Sequence, residues 1–555
     1  MGVSVMGNWF KSGSPWIWMT GGAVSISLIA VLGLLLMIAW RGLSYFWPAE
    51  IYQWEMQDQQ GAKYTLIGEI YDTEQVPTEQ LLSAGHVFKE APGDTVTRYL
   101  VKTGNREFVG LDFRWILATD IISRSLPEDI AVIERSKNGD FYGYPLAVIE
   151  NDKRLDFENV EASFESHIER SVELNDKAVE IQKGEIGSIN YAIEKLRLQE
   201  RGYELDGELT PVVKADLAQK RAILQAQYQT VEKEFFGLRK QAGRDSVIIK
   251  DMRDVEVTLK LDSILDVTYS NRLGLLDKLG HWFVGVGRFV SDDPREANTE
   301  GGVFPAIFGT VFMVMLMAVI VTPFGVVAAV YLHEYAKKGP VTKMIRIAVI
   351  NLAGVPSIVY GVFGLGFFVY MFGGSIDQLF FPEALPAPTF GSPGVLWSAL
   401  TLAILTLPVV IVSTEEGLSR IPSSVRQASL ALGATKAETL WRIVLPMASP
   451  AIMTGLILAV ARAAGEVAPL MLVGVVKLAP TLPIDVNFPF VHLERKFMHL
   501  GFHIYDVGFQ SPNVEAARPL VYATSFLLVT VIVSLNLTAI AVRNHLREKY
   551  RSLEH

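Results

Sequence analysis

The chain has 555 residues, 50% hydrophobic and 20% charged, with a net charge of −9. That balance speaks against a soluble globular protein and against an extended, solvated chain. Cysteine is absent, which removes disulfides and thiolate metal sites and fits an oxidising compartment.

Residues 17–40 are the first stretch apolar and long enough to cross a bilayer, which takes about 20 residues. The stretch is too long for a signal-peptide core and lacks a small-residue cleavage site, so it reads as an uncleaved anchor. Five more apolar stretches follow, roughly Phe304 to Leu332, Ile345 to Phe372, Val395 to Thr414, Ala451 to Val476 and Leu520 to Val542. Lys337, Lys338, Lys343 and Arg346 follow the second. Arg420, Arg426, Lys436 and Arg442 follow the fourth, and Arg543, Arg547, Lys549 and Arg551 the sixth. The loop between the third and fourth has Asp377 and Glu383 but no Lys or Arg. The positive-inside rule therefore predicts cytoplasmic N- and C-termini and puts residues 48–302 outside.

That external segment carries 31 Lys+Arg against 46 Asp+Glu, whereas the remainder is net basic. The shift in charge marks a separate unit. Its first part alternates like strands at YTLIGEIY (64–71), RYLVK (98–102), FRWIL (113–117) and LAVIE (146–150). From about 155 to 241 the period becomes helical. Phe157, Val160, Phe164 and Ile168 lead to Ile181, Ile189, Ile193 and Leu196. After a turn, Leu217, Leu224, Val231 and Leu238 repeat every seven residues, with Tyr228 and Phe235 at the companion position. Two such helices read as an antiparallel coiled-coil hairpin, inserted into a β-rich unit because SVIIK (246–250) and VEVTLKLDSIL (255–265) resume the strand pattern. His86 and His167 read as isolated structural histidines. No metal cluster, nucleophile–base motif or phosphate cradle is apparent, so the segment reads as a docking or spacing element.

Residues 427–446, QASLALGATKAETLWRIVLP, lie between two apolar spans and frame Ala428, Ser429, Gly433, Ile443, Leu445 and Pro446. Val425, Ala428 and Leu432 precede Gly433 at helical spacing, and Leu440, Ile443 and Val444 follow it. A helix, a glycine break and a second helix ending before Pro446 are expected. The frame resembles the cytoplasmic coupling loop by which ABC-importer permeases dock their ATPase.

Three further runs, NLAGVPSIVYGVFGLGFFV, LTLPVVIVSTEEGLSRIPSSVRQASLALGAT and LILAVARAAGEVAPLML, are similar to the phosphate ABC-transporter permease family. The Ala-Pro after the glutamate resembles its PstA branch rather than PstC. The likeness covers residues 300–545 strongly and 15–45 weakly. Two departures stand out: about 255 residues where members have a short external loop, and Val467 where Thr is usual.

Within the fifth stretch Arg462 and Glu466 are four residues apart, which on a helix puts them on one face near mid-bilayer. An intramembrane charge costs at least about 2.5 kcal/mol and must face a partner or a wet cavity. A guanidinium fork suits phosphate oxygens, and Glu466 would neutralise it between turnovers. The competing reading is a static pair that fixes helix packing. Gly361, Gly364 and Gly366 are expected to permit close helix approach, and Pro356 and Pro408 to kink their spans.

The expected fold is an all-α polytopic membrane protein with six transmembrane helices in the ABC-importer permease (MetI-like) arrangement, plus an inserted extracytoplasmic α+β domain with an antiparallel coiled-coil hairpin. The expected units are an N-terminus and anchor (1–47), the insertion (48–302), the permease (303–545) with its coupling loop at 415–450, and a cytoplasmic tail (546–555). The resemblance implies an inner-membrane phosphate permease that is not itself an enzyme and needs no cofactor or metal. It implies a PstC-like second permease, PstB-like ATPase subunits and a PstS-like periplasmic phosphate-binding protein, in contact with lipid and not with nucleic acid. No G-x-x-x-x-G-K-[ST] sequence is present for binding ATP in the chain itself. The rivals are a permease for sulfate or molybdate and, in another class, a membrane-anchored periplasmic sensor; six spans without an output domain argue against the sensor.

Overall fold

The structure is a computed structural model that describes residues 12–551, apart from 87, 89–92, 152 and 512–513. The outermost residues of both expected cytoplasmic ends, 1–11 and 552–555, lie outside the described residues.

Among the described residues, six helices are long and apolar enough to cross a membrane: Trp16–Ser44, Phe304–Tyr335, Ser357–Phe380, Val395–Ser419, Lys436–Ala464 and Ala517–His545. Two differ from the sequence expectation. Residues Pro340–Leu352 form a separate helix, and the third span starts only at Ser357 with Pro356 as its N-cap. Proline disfavours helical backbone in the residue before it, so Pro356 opens this helix instead of kinking it. The fifth span runs from Lys436 and ends at Ala464, where residues 451–476 were expected. Its earlier start is held by packing: Leu440, Val444 and Ala448 are buried against Leu418 and Ile421.

The second, fourth and fifth spans make the membrane core. Met313, Met317 and Val321 meet Ala399, Leu402 and Val410 and, from the fifth span, Ala459, Val460 and Ala463. A Cβ on Gly417 would lie 2.4 Å from the Ala451 side chain, and one on Gly455 2.7 Å from that of Ser413. The first span packs on the sixth, Gly42 against the backbone of Ala523, and is otherwise exposed.

Residues 51–268 contain two antiparallel sheets. Strands β1 (Ile51–Gln57), β2 (Lys63–Pro77), β3 (Thr95–Lys102), β4 (Phe113–Leu117) and β5 (Ile121–Ser125) are ordered β4-β3-β2-β1-β5. Trp54, Met56, Leu66, Ile67 and Val101 are buried in this sheet's core. Strands β6 (Ala131–Arg135), β7 (Phe141–Glu150), β8 (Lys153–Asp156), β9 (Ser246–Lys250), β10 (Glu256–Lys260) and β11 (Ile264–Thr268) form the second, ordered β10-β9-β7-β6-β11 with β8 also on β7.

Between β8 and β9 the chain leaves as helices Phe157–Ile181 and Gly187–Leu205, joined by a π turn, and returns as Pro211–Ala242. The return helix starts with proline at its first position, and the Thr210 side chain accepts the Val213 N–H, a cap that satisfies a free helical donor. Antiparallel pairing is marked by Arg239 Nη1 on Asn175 Oδ1 at 3.2 Å and by Arg221 on Glu200.

The apolar stripe does not close on itself throughout. Val160, Phe164 and Ile168 are buried against the second sheet with Val247, Ile249 and Leu259. Around the π turn the helices part, leaving an open cleft of about 800 Å3 lined by Ile181, Ile189, Val231 and Leu238.

The hairpin touches the membrane part. The Tyr191 hydroxyl donates to the Phe488 carbonyl at 2.8 Å, and Lys195 lies 5.8 Å above the Phe488 ring. The loop it meets is tightly tied. His492 lies 3.0 Å from Asp485, and Arg495 2.6 Å from the same carboxylate. Burial pushes the Asp485 carboxyl up, but hydrogen bonds from Asn487 and Arg495 outweigh it and hold it at about 2.

Candidate functional site

Helix Ser423–Ala431 stops at Leu432, Gly433 adopts φ +90°, and a capping box of Thr435 and Glu438 starts the next helix. That helix does not end before Pro446. It passes through a π stretch, Leu440–Val444, into Leu445–Ala464: the Leu445 N–H reaches back to the Leu440 carbonyl, and Pro446, which has no N–H to donate, sits where the helix is locally widened. Ser429 is buried and shares a 2.8 Å hydrogen bond with Thr439, clamping the two helices. Ala428 and Gly433 are exposed; Ile443, Leu445 and Pro446 are half-buried. Leu432, at the tip, is 90% exposed. No heavy atom would lie within 4 Å of a Cβ on Gly433, so its backbone angle is the constraint.

The loop is fastened to the end of the second span. Arg426 donates to the carbonyls of Ile421 and Leu418, both at 2.8 Å, and lies 3.1 Å from Glu334. Lys436 donates to the Glu334 carbonyl and sits 4.4 Å over the Tyr335 ring. Arg346 donates to the Leu332 carbonyl at 3.1 Å and pairs with Glu415 at 3.2 Å. These contacts tie the loop to the ends of the second and fourth spans.

Arg462 and Glu466 come together, with Nε 3.6 Å from Oε1. They do so across a helix end and not along one helix face. The helix stops at Ala464, and the Glu466 N–H bonds the Ala463 carbonyl at 3.2 Å. The separation is beyond hydrogen-bond range; among the described residues the guanidinium makes no hydrogen bond, and Tyr360 of the third span lies within reach of its charge. Gly417 on Ala451 and Gly455 on Ser413 set the register of the fourth and fifth spans. Continued two turns, it brings Arg462 level with the middle of Val395–Ser419. After the break the chain re-enters the protein: a Cβ on Gly361 would lie 2.7 Å from Pro469 Cα, and one on Gly364 2.3 Å from Thr401 Oγ1. Gly366 has no such neighbour, so two of the three glycines serve close approach. Val467 packs against Gly501 where a threonine would present a hydroxyl.

Residues 321–552 match the model of the family described as binding-protein-dependent transport system inner membrane component. The phosphate transport system permease protein PstA 1 of Mycobacterium tuberculosis (strain CDC 1551 / Oshkosh) is 35% identical over 245 residues, 44% of this chain and 71% of that protein. The probable ABC transporter permease protein YqgI of Bacillus subtilis (strain 168) is 30% identical over 259 residues, 45% of this chain and 81% of the relative. The chain belongs to the PstA family of ABC-transporter permeases. Among solved structures, an inward-facing MetNI methionine ABC transporter aligns with 43% of this chain and 94% of its own at 16% identity, with a TM-score of 0.33.

As a PstA-family permease the chain is a multi-pass inner-membrane transport subunit with an ABC-importer permease fold, and not an enzyme. The sequence reading used the basic residues near the loop only for orientation and missed their partners. Glu334, the acid inside the basic run His333 to Lys338, was the available signal. It also missed a polar junction of loop 294–301 with the fifth-to-sixth connection. Asn298 donates to the Lys477 carbonyl at 2.8 Å, and Lys477 lies 3.0 Å from the buried Asp506. His499 and His503 nearby are held down to about 4 by burial, so they are neutral at pH 7.

His167 is not isolated: its ligand atom and those of Glu150 and Asp245 lie within 4.8 Å of one another. Arg244 and Arg170 both pair with Asp245. Burial raises that carboxyl, and hydrogen bonding from Arg244 with the charge of Arg170 more than offsets it. Two guanidinium groups supply the positive charge a metal would bring, so this is an ion-pair network at the hairpin root. His86 lies 3.5 Å from Asp120.

Proposed function

We propose that this permease imports inorganic phosphate as one membrane subunit of an ATP-driven transporter. The observation that carries the reading is the 35% identity over 245 residues with a phosphate transport permease, beside a family match over residues 321–552, which include Arg462. Arg462 and Glu466 line the solute pathway, with the guanidinium stabilising the passing anion. A PstC-like permease forms the other half of the pathway. PstB-like ATPases dock on residues 427–446 through Ala428, Ser429, Gly433, Ile443, Leu445 and Pro446, and a PstS-like protein delivers phosphate from outside. The clustered lysines and arginines support cytoplasmic termini and coupling loop, with residues 48–302 in the periplasm. In cells lacking other phosphate uptake, the complete transporter should restore radiolabelled phosphate accumulation. A tenfold excess of sulfate or molybdate should not compete, and competition by either would transfer the assignment to that oxyanion.

The insertion is an extracytoplasmic α+β domain whose coiled-coil hairpin offers a docking face for the binding protein. Its seat on the loop around Phe488 supports this reading. A cut at residues 156–239 would strip Val160, Phe164 and Ile168 from the core of the second sheet. Replacing residues 180–234 with a short flexible linker avoids that. Expression and assembly should then persist, while uptake falls at low binding-protein concentration and recovers at high concentration. Uptake unchanged at every concentration would leave the hairpin without a docking role.

A further inference from the structure

The helix Leu275–Ser291, just before the second span, exposes an apolar face that the transport reading does not use. Leu275, Leu276 and Phe283 are 76%, 82% and 67% exposed, and Leu279 and Val290 are exposed beside them. At 3.6 residues per turn these five fall within an arc of about 100°. Asp277, His281 and Arg288 lie nearly opposite, with the exposed Val284 at the edge of that side, and Arg288 is bound to Asp266 of β11 at 2.8 Å. A soluble face would not collect these side chains on one arc, and a buried one would not leave them open.

Two attachments fix the height of the helix. The Trp282 indole N–H donates to the Leu43 carbonyl at 2.8 Å, in the last turn of the first span, and Phe289 packs on Phe46 with ring centres 5.2 Å apart. At its other end the Val303 N–H bonds the Phe289 carbonyl at 2.8 Å, one residue before the second span begins. The helix therefore runs between the exit of one membrane helix and the entry of the next. Its open arc is continuous with a first span whose own apolar surface is unburied.

We propose that Leu275–Ser291 lies in the plane of the bilayer surface with its apolar arc among lipid acyl chains, seating the β-rich insertion on the leaflet where the first span ends. Its occupant is lipid, and a helix with a strong apolar and a strong polar side is suited to that interface. Trp282 and Phe283 stand where aromatic residues gather in membrane proteins.

This chain has no cysteine of its own, so single labels report its positions once the partner subunits are made cysteine-free. Single cysteines placed one at a time at 276, 277, 279, 281 and 283 are spin-labelled in the complete transporter, in nanodiscs of phosphatidylethanolamine and phosphatidylglycerol. The ratio of oxygen to nickel-chelate collision should be several-fold higher at 276, 279 and 283 than at 277 and 281. In the unsubstituted protein, a phospholipid with a diazirine in its acyl chain should label the same three positions. Free nickel access at all five sites would show an aqueous face and overturn the proposal. Low access to both reagents with immobilised labels, and no lipid adduct, would show a protein partner there and overturn it equally.

Discussion

Arg462→Gln should abolish phosphate uptake while permease abundance and assembly stay near normal. A charge near mid-bilayer costs at least about 2.5 kcal/mol and needs a partner or a wet cavity. The observed pair is 3.6 Å apart, without a hydrogen bond, so the guanidinium donors stay open. On the proposed pathway role, those open donors are what the passing anion meets. Loss of one charge-assisted hydrogen bond is worth about 1.5–3 kcal/mol, roughly 10- to 100-fold in rate, and a guanidinium offers several. Arg462→Lys keeps the charge but not the planar fork and should retain part of the uptake. Glu466→Gln should slow transport without preventing assembly. A static pair makes a different forecast: either single variant lowers abundance, and the double neutral variant restores both abundance and uptake. Full uptake by that double variant would sink the pathway role.

The spans were legible because a bilayer demands about 20 apolar residues in a row and few other structures do. Their ends were not, because tertiary contacts set them. The fifth helix begins at Lys436 although residues 436–450 are mixed, since Leu440 and Val444 bury against Leu418 and Ile421. Gly465 then ends it, which spacing alone does not reveal, so Arg462 and Glu466 meet by a different geometry from the one their interval suggested. Alternation located β2, β3, β4, β7, β9 and β10 but missed β1, β5, β6 and β8. In β1 the buried residues are Ile51, Trp54 and Met56, whose spacing breaks the period of two. The surface helix at 275–291 went unread because Gly280, Gly285 and Gly287 depress helix propensity, and tertiary contacts at Trp282 and Phe289 override it. The Glu150–His167–Asp245 cluster was invisible for a simpler reason. Its members are brought together only when β7, the hairpin root and β9 assemble.

Gly433→Asp should leave the permease inserted yet weaken ATPase docking and uncouple transport. The open space around Gly433 rules out a steric clash within the chain, where two physical effects remain. At φ +90° a side chain costs about 1–2 kcal/mol, which lowers the population of the docking-competent loop and raises the apparent dissociation constant about 5- to 30-fold. A carboxylate just past the end of helix Ser423–Ala431 adds repulsion from the negative end of its dipole. The two are separable. Gly433→Ala imposes the strain alone, and Gly433→Asn removes the charge and tolerates the left-handed region better. ATPase co-purification should therefore fall in the order glycine, asparagine, alanine, aspartate, with ATP-driven uptake following it. Leu432→Asp tests the surface rather than the backbone, since its side chain is 90% exposed and its φ is ordinary. It should impair docking to a similar degree with no change in permease stability. Normal co-purification and normal uptake in Gly433→Asp would remove the coupling assignment from this loop.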